Sequence, residues 1–160
     1  MKTGIIIIFH NREEEIDKDF FKDHISKAND VEICLVNNNS KDNTYQLLKE
    51  ISEKCKNVSV VNINKFKTGN SAIRAGARYL VNQFNLREIG YIDTSLLLPN
   101  HKELNNILKV IIEEHDEILK YKKQVSQQKK IKQSMFQCVF SLQECMMVFK
   151  NEHQVVSFQE

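Results

Sequence analysis

Apolar residues along this chain fall into short runs that end in polar turns, and each turn is followed by a stretch with helical spacing. Residues 4–9, GIIIIF, form a nearly unbroken β-branched run, the pattern of a strand covered on both faces. A polar turn at His10, Asn11 and Arg12 follows. Residues 13–28 then place Ile16, Phe20, Phe21, His24 and Ile25 at helical spacing, with acids clustered at the start. Residues 31–36 predict a second strand, and the helix after it, 44–55, sets Tyr45, Leu48, Ile51, Ser52 and Cys55 along one stripe. A third strand is expected at 58–63 (VSVVNI). It leads through a polar loop, 64–70, to a helix with Ile73, Ala77, Leu80, Val81 and Phe84 on one face. Residues 88–92 read as a fourth strand ending in Asp93, Thr94 and Ser95. Beyond Pro99, a long amphipathic helix is expected over about 100–121, with Leu104, Ile107, Leu108, Ile111, Ile112, His115 and Leu119 inward.

Strands alternating with helices at this spacing predict an α/β fold of three layers, a mostly parallel sheet flanked by helices with right-handed crossovers. The tail is less decided. Phe136, Val139, Phe140 and Leu142 suit a helix, whereas 145–149 and 155–158 suit strands. No repeat, Pro-rich or Gly/Ser-rich linker divides the chain, so one domain over 1–160 is expected. With 160 residues it can bury a core without a disulfide or structural metal.

Composition narrows the partners. A formal net charge of +2 is too small to argue for nucleic acid. Cys34, Cys55, Cys138 and Cys145 show neither CxxC pairing nor zinc-ligand spacing, which reads as reduced thiols. The longest apolar runs, such as 5–9, are far short of the roughly 20 residues that span a bilayer, and no signal-peptide pattern opens the chain. A cytoplasmic location is expected. The segment 120–132, which begins at Lys120 and ends at Lys132, is rich in lysine and glutamine and contains no acid. It reads as an exposed loop: a solvated face, a clamp on phosphates, or a weak peripheral contact with anionic lipid.

The candidate chemistry lies where strands end. In VEICLVNNNSKDNT, 31–44, a strand gives way to a polar loop and a helix start, the place where parallel α/β sheets bind ligands. Its three successive asparagines are explained either by nucleotide contact or by Asn tolerating left-handed turns. Asp93 is either a cap on the next turn or a metal or diphosphate contact. Arg74 and Arg78 share a helix face at i, i+4, facing solvent or a phosphate, with Arg74 nearer the ligand end. Gly69 permits close backbone approach at the same helix start. His10, His101 and His115 have no paired metal-ligand spacing, and His115 is expected to pack on its helix.

Four stretches together resemble the nucleotide-sugar-binding domain of family 2 glycosyltransferases, which have the GT-A fold. IIIIFHNREEEI looks like the family's first strand and its Tyr-Asn-Glu-Glu loop, and LVNNNSKDNT resembles Val-Asp-Asp-Gly-Ser-x-Asp-x-Thr. KTGNSAIRAGARYL resembles the Asn-x-Gly-x-x-x-Ala-x-Asn-x-Gly helix start, and IGYIDTSLLLP the strand ending in an Asp-x-Asp metal motif. More weakly, EILKYKK and QECMMVFKNE look like later segments of the polyprenyl- or dolichyl-phosphate hexosyl transferase branch.

This resemblance implies a nucleotide-diphospho-sugar donor and hexose transfer, with 1–99 as the nucleotide-binding half and 100–160 as a helix, basic loop and shortened C-terminal part. It implies donor contacts at His10, Asn11, Asn37, Asn38, Arg74, Asp93 and Lys122, and a divalent metal, Mg²⁺ or Mn²⁺, at Asp93 and Ser95. The chain also departs from the pattern. Arg12 stands where the family has an acid, Asn37 and Asn38 where it has aspartates, Ser95 at the second metal-motif aspartate, Lys122 near an arginine and Ser141 near a further aspartate. Hard cations prefer anionic oxygen ligands, and an amide cannot serve as a general base. A relative without catalysis, binding a nucleotide or a partner, is therefore the alternative.

Overall fold

A computed structural model describes residues 1–68, 70–97, 101–122, 131–132 and 138–159. Its centre is a six-stranded sheet: β1 (Lys2–Phe9), β2 (Val31–Asn38), β3 (Val58–Ile63), β4 (Leu86–Asp93), β5 (Ile131–Lys132) and β6 (Cys138–Ser141), in the order β3-β2-β1-β4-β6-β5. Five of these strands run parallel, and only the short β5 is antiparallel, against β6. The expected three-layer, mostly parallel α/β architecture is therefore present.

Side chains alternate across β1 as strand geometry requires. Ile5, Ile7 and Phe9 enter the core on one face with β2's Ile33 and Leu35, while Ile6 and Ile8 enter the other with Cys34 and Val36. The first face is covered by the 18–25 segment, α2 (Thr44–Lys54), α4 (His101–Leu119) and α5 (Leu142–Gln159). The second is covered by α3 (Ser71–Gln83), through Ala72, Ile73, Ala77 and Leu80. Gly76 lets α3 lie against the strands, since a Cβ there would fall 2.8 Å from Ile6 Cγ2 and 2.9 Å from Val36 Cγ2.

Three expectations change. Residues 13–28 do not form one helix. Glu13–Glu15 is a 3₁₀ turn, α1 covers only Lys18–Phe20, and Phe21–Ile25 is a π turn closed by Ser26 N–H donating to Phe21 O. The cause is a second start signal, for Asp17 accepts from the Phe20 N–H at 3.2 Å. The periodic Phe21 and Ile25 are nevertheless fully buried, whereas His24 is exposed. β2 extends to Asn38 rather than ending at Val36. In the tail, Val139 and Phe140 take the strand slot beside Ile89 and Gly90 of β4. The apolar residues after them, Leu142, Cys145, Met146 and Phe149, form the buried face of α5 instead of a strand. Gly90 permits this, because a Cβ there would run into the Leu142 side chain.

The long helix runs His101–Leu119 with non-helical angles at Glu114, and His115 is half-buried on it. Gly69, residues 98–100, most of the lysine-rich segment (123–130) and Phe136 lie outside the described residues. Among those described, no helix is long and apolar enough to cross a membrane.

Candidate functional site

β1 lies between β2, which follows it in sequence, and β4, which comes later. Chain connections therefore diverge to opposite sides of β1, and the carboxyl ends of β1 and β4 flank the crevice where such sheets bind ligands. The loop after β1 is tied to the loop after β2. Asn11 N–H donates to Ser40 Oγ at 3.0 Å, its Oδ1 accepts from Lys41 N–H at 2.7 Å, and Arg12 N–H donates to Thr44 Oγ1 at 2.8 Å. Asp42 joins both sides, accepting from the backbone N–H of Thr44 at 2.9 Å and of Glu13 at 3.3 Å. Burial pushes the Asp42 carboxyl up, but the Thr44 hydroxyl and these backbone donors outweigh it and hold the group below its ordinary value. Asn11 and Asn39, at φ 51° and 53°, adopt the left-handed turn geometry that Asn tolerates.

Over this knot opens a cavity of about 320 Å³, bounded by the ends of β1, β2 and β4, the loop after β3 and the first turn of α3. His10 Nδ1 donates to Asn38 O at 2.6 Å, which places the proton on Nδ1 and leaves Nε2 to accept from Asn11 Nδ2 at 3.2 Å. The His10 ring meets Phe66 edge-on, with centroids 4.8 Å apart, and Phe66 is 47% exposed. Asn38 binds the Lys67 backbone in both directions, donating to O at 2.8 Å and accepting from N–H at 3.0 Å. That bond pair fixes the loop carrying Phe66, Lys67 and Thr68 as a wall.

The opposite wall is Asp93, Thr94 and Ser95. Thr94 Oγ1 donates to Ile8 O at 2.6 Å. Asp93 Oδ1 accepts from both Ser95 N–H at 3.0 Å and Ser95 Oγ at 2.7 Å. From α5, Gln143 brackets the Asp93 backbone, its Oε1 accepting from N–H at 2.9 Å and its Nε2 donating to O at 3.2 Å. Behind this wall, burial pushes the Tyr91 phenol up, and the Glu144 and Asp93 carboxylates add to the shift.

His10, Asn38, Asp93 and Ser95 thus meet in one cavity, and other expected residues do not join them. Asn11 links loops without lining it. Asn37 is on the opposite sheet face, where its Nδ2 donates to Asn62 Oδ1 at 2.8 Å beside a smaller recess of about 270 Å³. Arg74 is exposed on α3 next to the wall residue Ile73. Lys122 pairs with Glu88 at 2.5 Å. Glu88 is in register with Thr3 at the amino edge of the sheet, about 17 Å along β4 from Asp93 at roughly 3.3 Å per residue.

Arg12, Phe66, Lys67, Thr68 and Gln143 were not picked out as site residues. Arg12 was visible as a basic residue in a motif position that otherwise carries an acid, and Phe66 as a lone aromatic in a polar strand-to-helix loop. Gln143 opens the stretch QECMMVFKNE that resembles a later family segment, but its contact with Asp93 depends on α5 packing beside β4.

For a divalent metal the donor set is poor. Asp93 is the one carboxylate in the described wall, and one of its oxygens is engaged by Ser95. Among the described residues no group of three or more His, Cys, Asp or Glu could hold a metal. Asn38, at a position where an acid would help, is committed to Lys67. These residues do not make a metal site of their own. A second cavity of about 490 Å³ adjoins the Asp93 wall, with Leu96, Leu97, Ile107, Met146 and Met147 as apolar lining and Gln143 shared between the Asp93 bracket and this space.

The family model "Glycosyl transferase family 2" matches residues 4–129. No curated protein matches the chain. Among solved structures, TarS 1-349 of S. aureus is 20% identical with a TM-score of 0.46, the match covering 72% of this chain and 33% of that one. The mannosyltransferase PcManGT of Pyrobaculum calidifontis, in complex with GDP-Man and Mn²⁺, is 18% identical with a TM-score of 0.45, covering 69% and 32%. TarS 1-349 in complex with UDP-GlcNAc is 21% identical with a TM-score of 0.43, covering 72% and 32%. The chain therefore spans about a third of the length of these proteins.

Proposed function

The chain belongs to glycosyl transferase family 2, and from that membership we propose that the cavity at the carboxyl ends of β1 and β4 binds a nucleotide-diphospho-sugar donor for hexose transfer. The observation that supports this reading most is the convergence, in one cavity, of an aromatic pair (His10 and Phe66), a guanidinium (Arg12) and a hydroxyl-bonded carboxylate (Asp93). An exposed aromatic offers a stacking face to a base. A guanidinium offers paired donors to phosphate. A carboxylate accepts from ribose or sugar hydroxyls. On this reading residues 1–99 are the donor half.

The acceptor would approach from the larger, partly apolar cavity between β4's end, α4 and α5. Its Leu96, Leu97, Ile107 and methionine lining suits an acceptor with an apolar portion, in keeping with the polyprenyl-phosphate branch of the family. A weak contact of the lysine-rich segment with a membrane surface belongs to the same proposal.

Calorimetry with UDP-, GDP- and TDP-sugars tests donor binding. One of them is expected to bind, and Phe66→Ala is expected to weaken it by about tenfold, the scale of one lost base–aromatic stack. If none binds, the reading fails. The second reading, a binding module without turnover, is favoured by a single fact: Asp93 is the one carboxylate in the described cavity wall. Release of free sugar or nucleotide from a bound donor decides against it.

A further inference from the structure

We propose that Arg12, and not a divalent cation, neutralises the diphosphate at this site, so that nucleotide binding needs no metal. The inference rests on the nucleotide reading above and specifies how that site handles charge. Its first support is the donor set. A hard cation needs several oxygen ligands and favours anionic ones. The described wall offers Asp93, whose Oδ1 already takes two hydrogen bonds from Ser95. The neighbouring polar positions cannot add a carboxylate, because Asn38 is an amide bonded both ways to Lys67 and Asn37 faces the other side of the sheet.

The second support is the state of Arg12. Its backbone N–H is fixed by Thr44 Oγ1 at 2.8 Å, and its side chain, 19% exposed, forms part of the cavity wall. Partial burial limits screening by salt. The partner it has, Glu15 Oε1, is 3.4 Å from Nη1, long beside the roughly 2.7–2.9 Å of a strong charge-assisted bond. Only one of the five guanidinium N–H donors is engaged among the described residues. The group is held at the cavity while retaining the planar fork that matches a phosphate. An acid at position 12 would repel the same ligand, and Arg12 replaces that repulsion with attraction.

The two charge schemes predict different responses at Asp93. Were a metal held there, removing the carboxylate would cost more affinity with the metal present than without it. With Arg12 as the counter-charge, the effect of removing that carboxylate is the same with and without metal.

Calorimetry with UDP and GDP on the full chain tests this, in EDTA and in MnCl₂, with Arg12→Gln, Arg12→Lys and Asp93→Asn as variants and circular dichroism melts to verify folding. Equal dissociation constants in EDTA and Mn²⁺ are expected. Arg12→Gln should weaken binding by about tenfold, the scale of one charge-assisted contact, and Arg12→Lys should recover part of it. Asp93→Asn should change the dissociation constant by the same factor in EDTA and in Mn²⁺. Binding that requires Mn²⁺, an Asp93→Asn loss seen only with Mn²⁺, or binding unchanged in Arg12→Gln overturns the inference and leaves the nucleotide reading standing. No binding of either nucleotide in any condition removes both.

Discussion

Single side chains decide how the loops of this site are held, and two of them give sharp tests. Asn38 is 5% exposed and both donates to and accepts from the Lys67 backbone. Asn38→Asp, which would bring back the motif's acid, loses the donor and sets a carboxylate against the Lys67 carbonyl. It should destabilise the protein by about 1–3 kcal/mol in urea unfolding, the range for a buried polar group left unsatisfied. Asp42 gives a pH dependence. Its folded-state pKa lies below the ordinary value of 3.8, so its contribution is complete above that value and disappears as pH falls through the depressed one. The stability difference between the parent chain and Asp42→Asn, followed by urea unfolding against pH, should be constant near neutrality and shrink below pH 3.8.

The same residue scale shows what the sequence could not reveal. Three asparagines in a row read as one polar loop, but β2 continues through Asn37 and Asn38. Successive strand residues face opposite sides of a sheet, so Asn38 reaches the cavity and Asn37 turns to Asn62. A boundary displaced by two residues therefore separated two neighbours expected to act together. Asn37 Oδ1 is buried without a partner among the described residues, consistent with its place outside the cavity.

At the level of elements, the strand-loop-helix units were legible because their strands are covered on both faces and their helices on one. Both patterns are strong in sequence. The 13–28 segment misled for a physical reason. Helical spacing records which side chains are buried, and Phe21 and Ile25 are, but it does not register the new start at Asp17 or the ties of Glu13 to the β2 loop. The reach of α4 explains Lys122 in the same way. Nineteen helical residues span about 28 Å at 1.5 Å each, carrying the chain from the carboxyl edge back to the amino edge, where Lys122 meets Glu88.

Helix seating also makes a prediction. α3 rests on Ile6 and Val36 at Gly76, and α5 places Leu142 over Gly90. Gly90→Ala drives a methyl into Leu142 and should cost about 1–3 kcal/mol by overpacking. Because α5 also carries Gln143, which brackets the Asp93 backbone, the same variant should weaken donor binding without touching the cavity, a coupling that calorimetry on the folded variant would detect.

Across the whole molecule, one sheet separates two functions of the chain's polar residues. At the amino edge, Lys2 with Glu32 and Lys122 with Glu88 pair across the fold. At the carboxyl edge, His10, Arg12, Asn38, Phe66, Asp93 and Ser95 converge on a cavity. The family match covers residues 4–129 and so includes every one of these cavity positions. Entry of a nucleotide into this cavity is read residue by residue in a heteronuclear NMR titration of the chain with UDP and GDP. Amide shifts should concentrate at His10, Asn38, Lys67, Thr68 and Ser95 and leave Glu88, Lys122 and Asn64 unmoved. Shifts confined to the Asn37 and Asn62 side of the sheet, or no shifts with either nucleotide, would contradict it.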